Sequence, residues 1–218
     1  MNLVLAIDTS TERGRVACVE AREARTVAEI DELMAGSHTI HVMSLIDRAL
    51  AAASWNKSDV DGVAVVRGPG SFTGVRIGLG TAEGLALACD CPCFGVHTLE
   101  AMAEASGACD GERVCVLGAG RGELYVARFD AGSSPPVELD APGLVEASVL
   151  WSRPPGFVLW AAAAAPPEGF PAAAGRAAGS STAAAAARIA LARGADQAQP
   201  LSPLYVRPSD AELKRRRR

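Results

Sequence analysis

The chain has 218 residues and a formal net charge of −4 at pH 7, with 49% hydrophobic and 21% charged residues. This length suffices for one large domain or two small ones with buried cores, and the composition is that of a folded soluble protein. The apolar run at residues 3–7 is too short for a signal peptide, and no stretch of about 20 residues is free of charges and turn formers. We therefore expect a cytoplasmic protein without a membrane span.

The first hundred residues alternate between strand and helix patterns, which predicts an α/β layer built on a mixed sheet. Strands are predicted at residues 3–7, 15–20, 26–30, 62–67 and 93–96. Helices are predicted at residues 39–53 and 72–89, with a further helix near 99–106.

Residues 68–80, GPGSFTGVRIGLG, are the most informative segment. Gly68-Pro69-Gly70 predicts a sharp turn, and Ser71 is placed as the N-cap of the helix at residues 72–89. The helix then contains Gly74, Gly78, Gly80 and Gly84, which together give up about 3 to 4 kcal/mol of helix propensity. At 100° per residue, Gly74 and Gly78 fall on one side and Gly80 and Gly84 on another. The pattern predicts close approach by two neighbours, which are either the sheet and a partner or two parts of one domain.

The helix predicted at residues 39–53 has an unusually wide apolar stripe. The stripe spans about 160° of the helical wheel, more than packing on one sheet face needs. Its members are Val42, Met43, Leu45, Ile46, Ala49 and Leu50. A second contact for this helix is therefore expected.

The second half reads as a reduced version of the first. Strands are predicted at residues 114–117, 124–129, 158–160 and 204–207, and an alanine-rich helix at 181–193, capped by Ser180 or Ser181. Proline, glycine and alanine dominate residues 133–179, where the signal fades. The predicted units are an N-terminal lobe at 1–105, a reduced C-terminal lobe at 106–207 and a basic tail at 208–218.

Side chains for catalysis are scarce, and no catalytic residue or metal site is predicted. The six cysteines lack zinc-site spacing and are interpreted as reduced structural thiols. His38 and His41 could share one helix face and hold a metal, but helix-terminal or interface histidines are favoured. Asp8, Thr9 and Ser10 follow the first strand and would either face a phosphate or nucleotide or form an ordinary polar turn.

The last five residues are all basic. Without them, 16 basic residues face 25 acidic ones, so the positive charge is concentrated at this end. Such a run is either a solvated end or an arm that binds the phosphates of RNA. The residues are Lys214, Arg215, Arg216, Arg217 and Arg218.

Several segments together resemble the TsaB family, formerly YeaZ. They are AIDTS at 6–10, HT at 38–39, VRGPGSFTGVRIG at 66–78, TAEGLALA at 81–88, GVHTLEAMA at 95–103, GELY at 122–125 and PLYVR at 203–207. The resemblance is close in the N-terminal half and patchy in the C-terminal half. It implies an α/β fold of two actin-like lobes with mixed sheets, the second lobe truncated.

The resemblance also implies a function. Members of this family act as noncatalytic subunits that bind TsaD and support transfer of the threonylcarbamoyl group to N6 of the adenosine at position 37 of tRNA, beside the anticodon. TsaE joins through the complex, and a homodimer forms when the subunit is alone. ATP or ADP and the metal are expected in the partner or at the interface, and neither a membrane nor DNA is an expected partner. The alternative is an autonomous enzyme of the same fold, an ATPase, kinase or peptidase, with Asp8 as its anchor.

In the family, the helices that match residues 39–53 and 72–89 contact TsaD. The residues that this implies as partner-binding are His38, Val42, Met43, Ile46, Leu50, Phe72, Thr73, Val75, Arg76, Gly78, Leu79 and Ala82. The chain departs from the family pattern at Gly118 and Gly120, where many members have an aspartate and an arginine. It also departs at Ile40 and Ser44, so the start of the first contact helix is expected to differ.

Overall fold

A computed structural model describes residues 1–34, 38–107, 111–152, 158–160, 175–177, 181–194 and 201–207. The strands are β1 Leu3–Asp8, β2 Arg13–Glu20, β3 Arg25–Leu33, β4 Gly62–Val66, β5 Cys93–Val96, β6 Glu112–Gly120, β7 Glu123–Asp130, β8 Val137–Glu146, β9 Val158–Trp160 and β10 Gly175–Ala177. The α-helices are α1 His38–Ala53, α2 Phe72–Cys89, α3 Thr98–Ala105, α4 Ala147–Ser152 and α5 Thr182–Arg193.

The strands form two mixed sheets with the same topology. The first sheet has the order β3-β2-β1-β4-β5, in which β1, β2 and β3 pair antiparallel and β4 and β5 continue parallel to β1. The second has the order β8-β7-β6-β9-β10, again with three antiparallel strands followed by two parallel ones. The prediction of an α/β fold with two lobes on mixed sheets is thus confirmed. In the second sheet only the two parallel strands are short, because β9 and β10 have three residues each.

Helices cover both faces of the first sheet. On one face, α1 and α2 lie side by side and bury a core that includes Leu5, Ile7 and Val65. On the other face, α5 packs across β1, β2 and β4, and its buried side chains are mostly alanine. Such small side chains let the helix axis lie close to the sheet. Among the described residues, no helix is long and apolar enough to cross a membrane.

Helix α5 lies within residues 106–207, which are predicted to form the second lobe, but it packs on the first lobe. It packs on the first sheet and on α3. Its N-terminus is fixed there, because the Thr182 hydroxyl donates a hydrogen bond to the Asp8 carboxylate at the end of β1. The first sheet therefore depends on residues that come much later in the chain.

Most predicted elements of the first half are confirmed, and the misses lie in the second half. Helix α2 has the predicted bounds, with the Ser71 hydroxyl as the N-cap acceptor, and Ser181 caps α5. Strand β8 was missed because it contains Pro142 and Gly143, which an edge strand tolerates.

The strand predicted at residues 204–207 is wrong. Leu204 N donates to the Arg67 carbonyl oxygen at 2.8 Å, but no ladder follows. Instead, side chains hold this segment. Arg207 contacts the second sheet by donating to the Ala119 carbonyl oxygen at 2.8 Å and pairing with Glu123 at 3.1 Å.

Candidate partner-binding face of helix α2

The turn before α2 brings two loops of the first lobe into close contact. Ser71 N donates to the Ser10 carbonyl oxygen at 2.6 Å, and a Cβ added to Gly70 would lie 2.1 Å from that same oxygen. Gly68 has a φ of +97°, which favours glycine. The turn glycines therefore allow the loop after β4 to approach the loop after β1 and fix where α2 begins.

One side of α2 is smooth because the chain itself needs the space. A Cβ on Gly78 would lie 2.4 Å from Thr9 Oγ1. That hydroxyl is held in place, since it donates to the Gly74 carbonyl oxygen at 2.7 Å. Gly78 is therefore explained by the end of β1, not by another protein.

The opposite side of α2 has no such explanation. A Cβ added to Gly80 or to Gly84 would meet no atom within 4 Å in the part of the chain that the structure describes. At 100° per residue these two glycines share a side with Thr73, Arg76 and Leu87. All five residues are exposed, and Leu87 is 85% exposed. We call this set the outer face of α2.

An aromatic cluster stands at the N-terminal end of the outer face. Phe72 and Tyr205 stack with ring centroids 5.2 Å apart and are 40% and 45% exposed. The Arg76 guanidinium lies 3.8 Å from the centroid of the Phe72 ring, and its Nε donates to the Tyr205 hydroxyl at 2.7 Å. Large aromatic and arginine side chains held rigidly at a surface are typical of binding hot spots.

Helix α1 presents a polar surface beside α2. Among the α1 residues whose side chains the structure describes, Met43 is the one large apolar residue at the surface, and it is 40% exposed. Further along, Arg48 pairs with Glu32 at 2.6 Å, and Asp47 with Lys57 at 3.0 Å. His41 and Ser44, on either side of Met43 in the sequence, are exposed as well.

More than half of the predicted contact residues are not at the surface. Seven of the twelve are buried in the core of the chain itself: Val42, Ile46, Leu50, Val75, Gly78, Leu79 and Ala82. The wide stripe of α1 is covered by β2, β3 and α2, so it needs no second protein. Exposed members of the predicted set are Met43, Phe72, Thr73 and Arg76, and the side chain of His38 lies outside the described residues.

The phosphate-facing role predicted for Asp8, Thr9 and Ser10 is not supported by their placement. All three are buried. The Asp8 carboxylate accepts from Ser10 N at 2.8 Å, from Arg15 at 3.5 Å and from the Thr182 hydroxyl. The Ser10 hydroxyl is buried without a partner among the described residues. These groups tie β1 to β2 and α5, and they leave Asp8 no open side toward a ligand.

The cysteines are structural in their surroundings. The five that the structure describes form no disulfide, and Cys109 lies outside the described residues. Burial raises the pKa of Cys18 and of Cys93 to about 12, which keeps both thiols protonated. Within the described residues, no three side chains of His, Cys, Asp or Glu gather as a metal site. The basic tail, Lys214 to Arg218, also lies outside them.

Two sets of residues escaped sequence reasoning. Tyr205 belongs to the outer-face cluster, although its segment resembled a strand. Arg67, Glu100 and Arg193 line a polar cavity with His97. In the sequence, the only signal for this cavity is the charged Arg67 directly after a buried strand.

In sequence, the chain is similar to proteins of tRNA threonylcarbamoyladenosine biosynthesis. The family model described as "TsaD: tRNA N6-adenosine threonylcarbamoyltransferase" matches residues 29–135. The tRNA threonylcarbamoyladenosine biosynthesis protein TsaB of Haemophilus influenzae is 44% identical over 103 residues, 47% of this chain and 42% of that protein. TsaB of Escherichia coli is 38% identical over 128 residues, 58% of this chain and 54% of that protein. The matches thus span about half the length of these curated relatives.

A full-length match and two solved structures extend the comparison. An uncharacterized protein of Mycobacterium bovis is 32% identical over 212 residues, 97% of this chain and 95% of that protein. The structure of YeaZ from Pseudomonas aeruginosa superposes with a TM-score of 0.70 at 24% identity, covering 94% of this chain and all of that one. The Arthrobacter polyphosphate/ATP-glucomannokinase has a TM-score of 0.51 at 9% identity, with 87% and 97% covered. These two structures support the predicted actin-like fold.

Proposed function

Because this chain belongs to the TsaB (YeaZ) family, we propose that it takes part in tRNA threonylcarbamoyladenosine biosynthesis as a noncatalytic subunit that binds TsaD. In this role it supports transfer of the threonylcarbamoyl group to the adenosine beside the anticodon. The contact surface is the outer face of α2 with the exposed part of α1. TsaE joins through the complex, and a second copy of the chain occupies the same face when TsaD is absent.

The outer face of α2 is the observation that carries this proposal. Gly80 and Gly84 each cost the helix about 0.8 to 1 kcal/mol relative to alanine, and no contact with the described residues requires them. A partner helix that approaches the backbone closely would require them. The exposed Leu87 at one end and the Phe72–Tyr205 pair at the other supply apolar area for such a contact.

The noncatalytic part of the proposal rests on the chemistry around Asp8. An autonomous kinase or ATPase would need this carboxylate open to a metal or a phosphate. Its oxygens are buried and engaged by Ser10, Arg15 and Thr182. Nucleotide and metal are therefore assigned to TsaD or to its interface with this chain.

Binding is tested with charge placed on the outer face. In Gly80→Arg the added Cβ meets no atom of the described residues within 4 Å and the substitution improves helix propensity, so the thermal midpoint is expected not to fall. Its affinity for TsaD, measured by isothermal titration, should fall at least tenfold. Ala192→Arg is the matched control, because it adds the same charge at an exposed position of α5. Equal affinity of Gly80→Arg and wild type would refute the proposed surface.

The noncatalytic role has its own measurement. The purified chain alone should not hydrolyse ATP or peptides, whereas the mixture with TsaD and TsaE should modify tRNA. Turnover of ATP by the chain alone, at a rate unchanged through further purification, would favour the autonomous enzyme.

A further inference from the structure

A polar cavity of about 260 Å³ lies where the two lobes meet. It sits beyond the carboxyl ends of the parallel strands β4 and β5, the position at which open α/β sheets bind ligands. Five ionisable side chains line it: Arg67 after β4, His97 and Glu100 at the start of α3, Arg193 at the end of α5 and Glu138 on β8. The first lobe, the second lobe and α5 all contribute to this lining.

Four of the five ionisable groups are already paired with one another. Arg193 Nη2 contacts Glu100 Oε1 at 2.5 Å. His97 Nδ1 accepts the Glu100 backbone N–H at 3.2 Å, so the ring proton must be on Nε2, which donates to Glu138 Oε2 at 2.8 Å. Both ring nitrogens of His97 are therefore engaged.

Arg67 is the exception. Its Nε is buried and has no hydrogen-bond partner among the described residues, and no described carboxylate lies within ion-pair distance of it. Nη1 has only a long contact, 3.4 Å, to the Ser202 carbonyl oxygen. A half-buried guanidinium without an ion-pair partner and with an unsatisfied Nε is costly, and burial lowers the pKa of Arg67. The cavity therefore contains one cation with unused donors.

We propose that this cavity binds a small molecule through a carboxylate or phosphate group, which Arg67 receives. The planar guanidinium matches both groups and can bond either through two parallel N–H donors. The volume admits a small metabolite but not a polymer. The site is distinct from the outer face of α2, which lies on the opposite face of the first sheet.

The carboxylates of the lining are compatible with an anionic ligand. The two glutamates of the lining are matched by two arginines, so one added anion leaves only a modest imbalance of charge. Burial raises the pKa of Glu100, and a bound anion would raise it further. Binding is therefore expected to take up a proton and to strengthen as the pH falls.

The test titrates the full chain with malonate and, separately, with inorganic phosphate. The Nε–H resonance of Arg67, assigned by its absence from the spectrum of Arg67→Lys, should shift saturably with at least one of the two probes. Malonate alone points to a carboxylate ligand and phosphate alone to a phosphorylated one. If neither probe moves this resonance, the proposal is wrong.

Substitution gives an independent readout. Arg67→Gln should bind the active probe at least tenfold more weakly than wild type in isothermal titration. Arg22→Gln is the control, because it removes the same charge from an exposed position far from the cavity lining. Equal affinity of Arg67→Gln and wild type for the probe would show that Arg67 does not receive the anion. If Arg67→Gln does not fold, the titration of the Arg67 Nε–H resonance in the wild-type chain tests the proposal by itself. Neither result depends on whether TsaD binds.

Discussion

Replacing glycine by alanine within α2 should change stability in opposite directions on its two sides. At Gly80 and Gly84 the added methyl group contacts none of the described residues, and each substitution contributes about 0.8 to 1 kcal/mol of helix propensity. The double variant Gly80→Ala/Gly84→Ala should therefore gain roughly 1.6 to 2 kcal/mol in free energy of unfolding. With a urea m-value of about 2 kcal/mol/M, the midpoint moves upward by about 1 M.

At Gly78 the same substitution should be destabilising. The added Cβ would lie 2.4 Å from Thr9 Oγ1, and this hydroxyl cannot turn away without giving up its bond to the Gly74 carbonyl oxygen. Overpacking costs about 1 to 3 kcal/mol, which exceeds the gain in propensity over most of that range.

Urea unfolding followed by circular dichroism measures all three chains under the same conditions. A loss of stability in the double variant would show that the outer face of α2 is packed within the chain. A gain in Gly78→Ala would show that Thr9 is free to move. Either result would refute the assignment of the two sides, on which the proposed contact surface depends.

Three further outcomes are expected. Thr182→Val removes the hydroxyl that binds the buried Asp8 carboxylate, and thermal unfolding should show a loss of about 1 to 3 kcal/mol; an unchanged midpoint would mean that this bond is not formed. Burial raises the pKa of Glu100, so its contribution to stability is full below the unfolded pKa of about 4.3 and is lost as the pH rises through the folded pKa. The midpoint of urea unfolding, measured from pH 4 to 8, should therefore depend less on pH in Glu100→Gln than in wild type. Identical pH profiles of the two proteins would contradict a raised pKa of Glu100 as the source of this dependence. The pKa of Cys93 is raised to about 12, so its thiol should react with iodoacetamide far more slowly at pH 8 than a free thiol does. Peptide mass spectrometry measures the labelling, and rapid labelling of Cys93 would contradict its burial.

The first half of the fold could be read from local signals. Ser71 and the glycines around it fixed the start of α2, because an N-cap and a turn depend only on adjacent residues. The later strands could not be read in the same way. Strand β8 is an exposed edge with a proline, so alternation and β-propensity are weak there.

The candidate surface was harder to predict than the helices that form it. Periodicity shows which residues share a side of a helix, but not which neighbour covers that side. Val42 and Leu79 were therefore assigned to a partner, although the first sheet buries them. Arg67 and Arg193 are 126 positions apart in the sequence and meet at one cavity through the long return of α5, which no local pattern reveals.

The placement of α5 also has a consequence for synthesis on the ribosome. The face of the first sheet that α5 covers includes Val4, Ala17 and Phe94, and β5 is complete roughly 85 residues before α5 begins. At about 5 to 20 residues per second, the nascent chain carries this uncovered apolar face for roughly 4 to 17 seconds. During that interval the emerging first lobe is a natural client for a chaperone, and translation speed over residues 97–181 should influence the yield of folded protein.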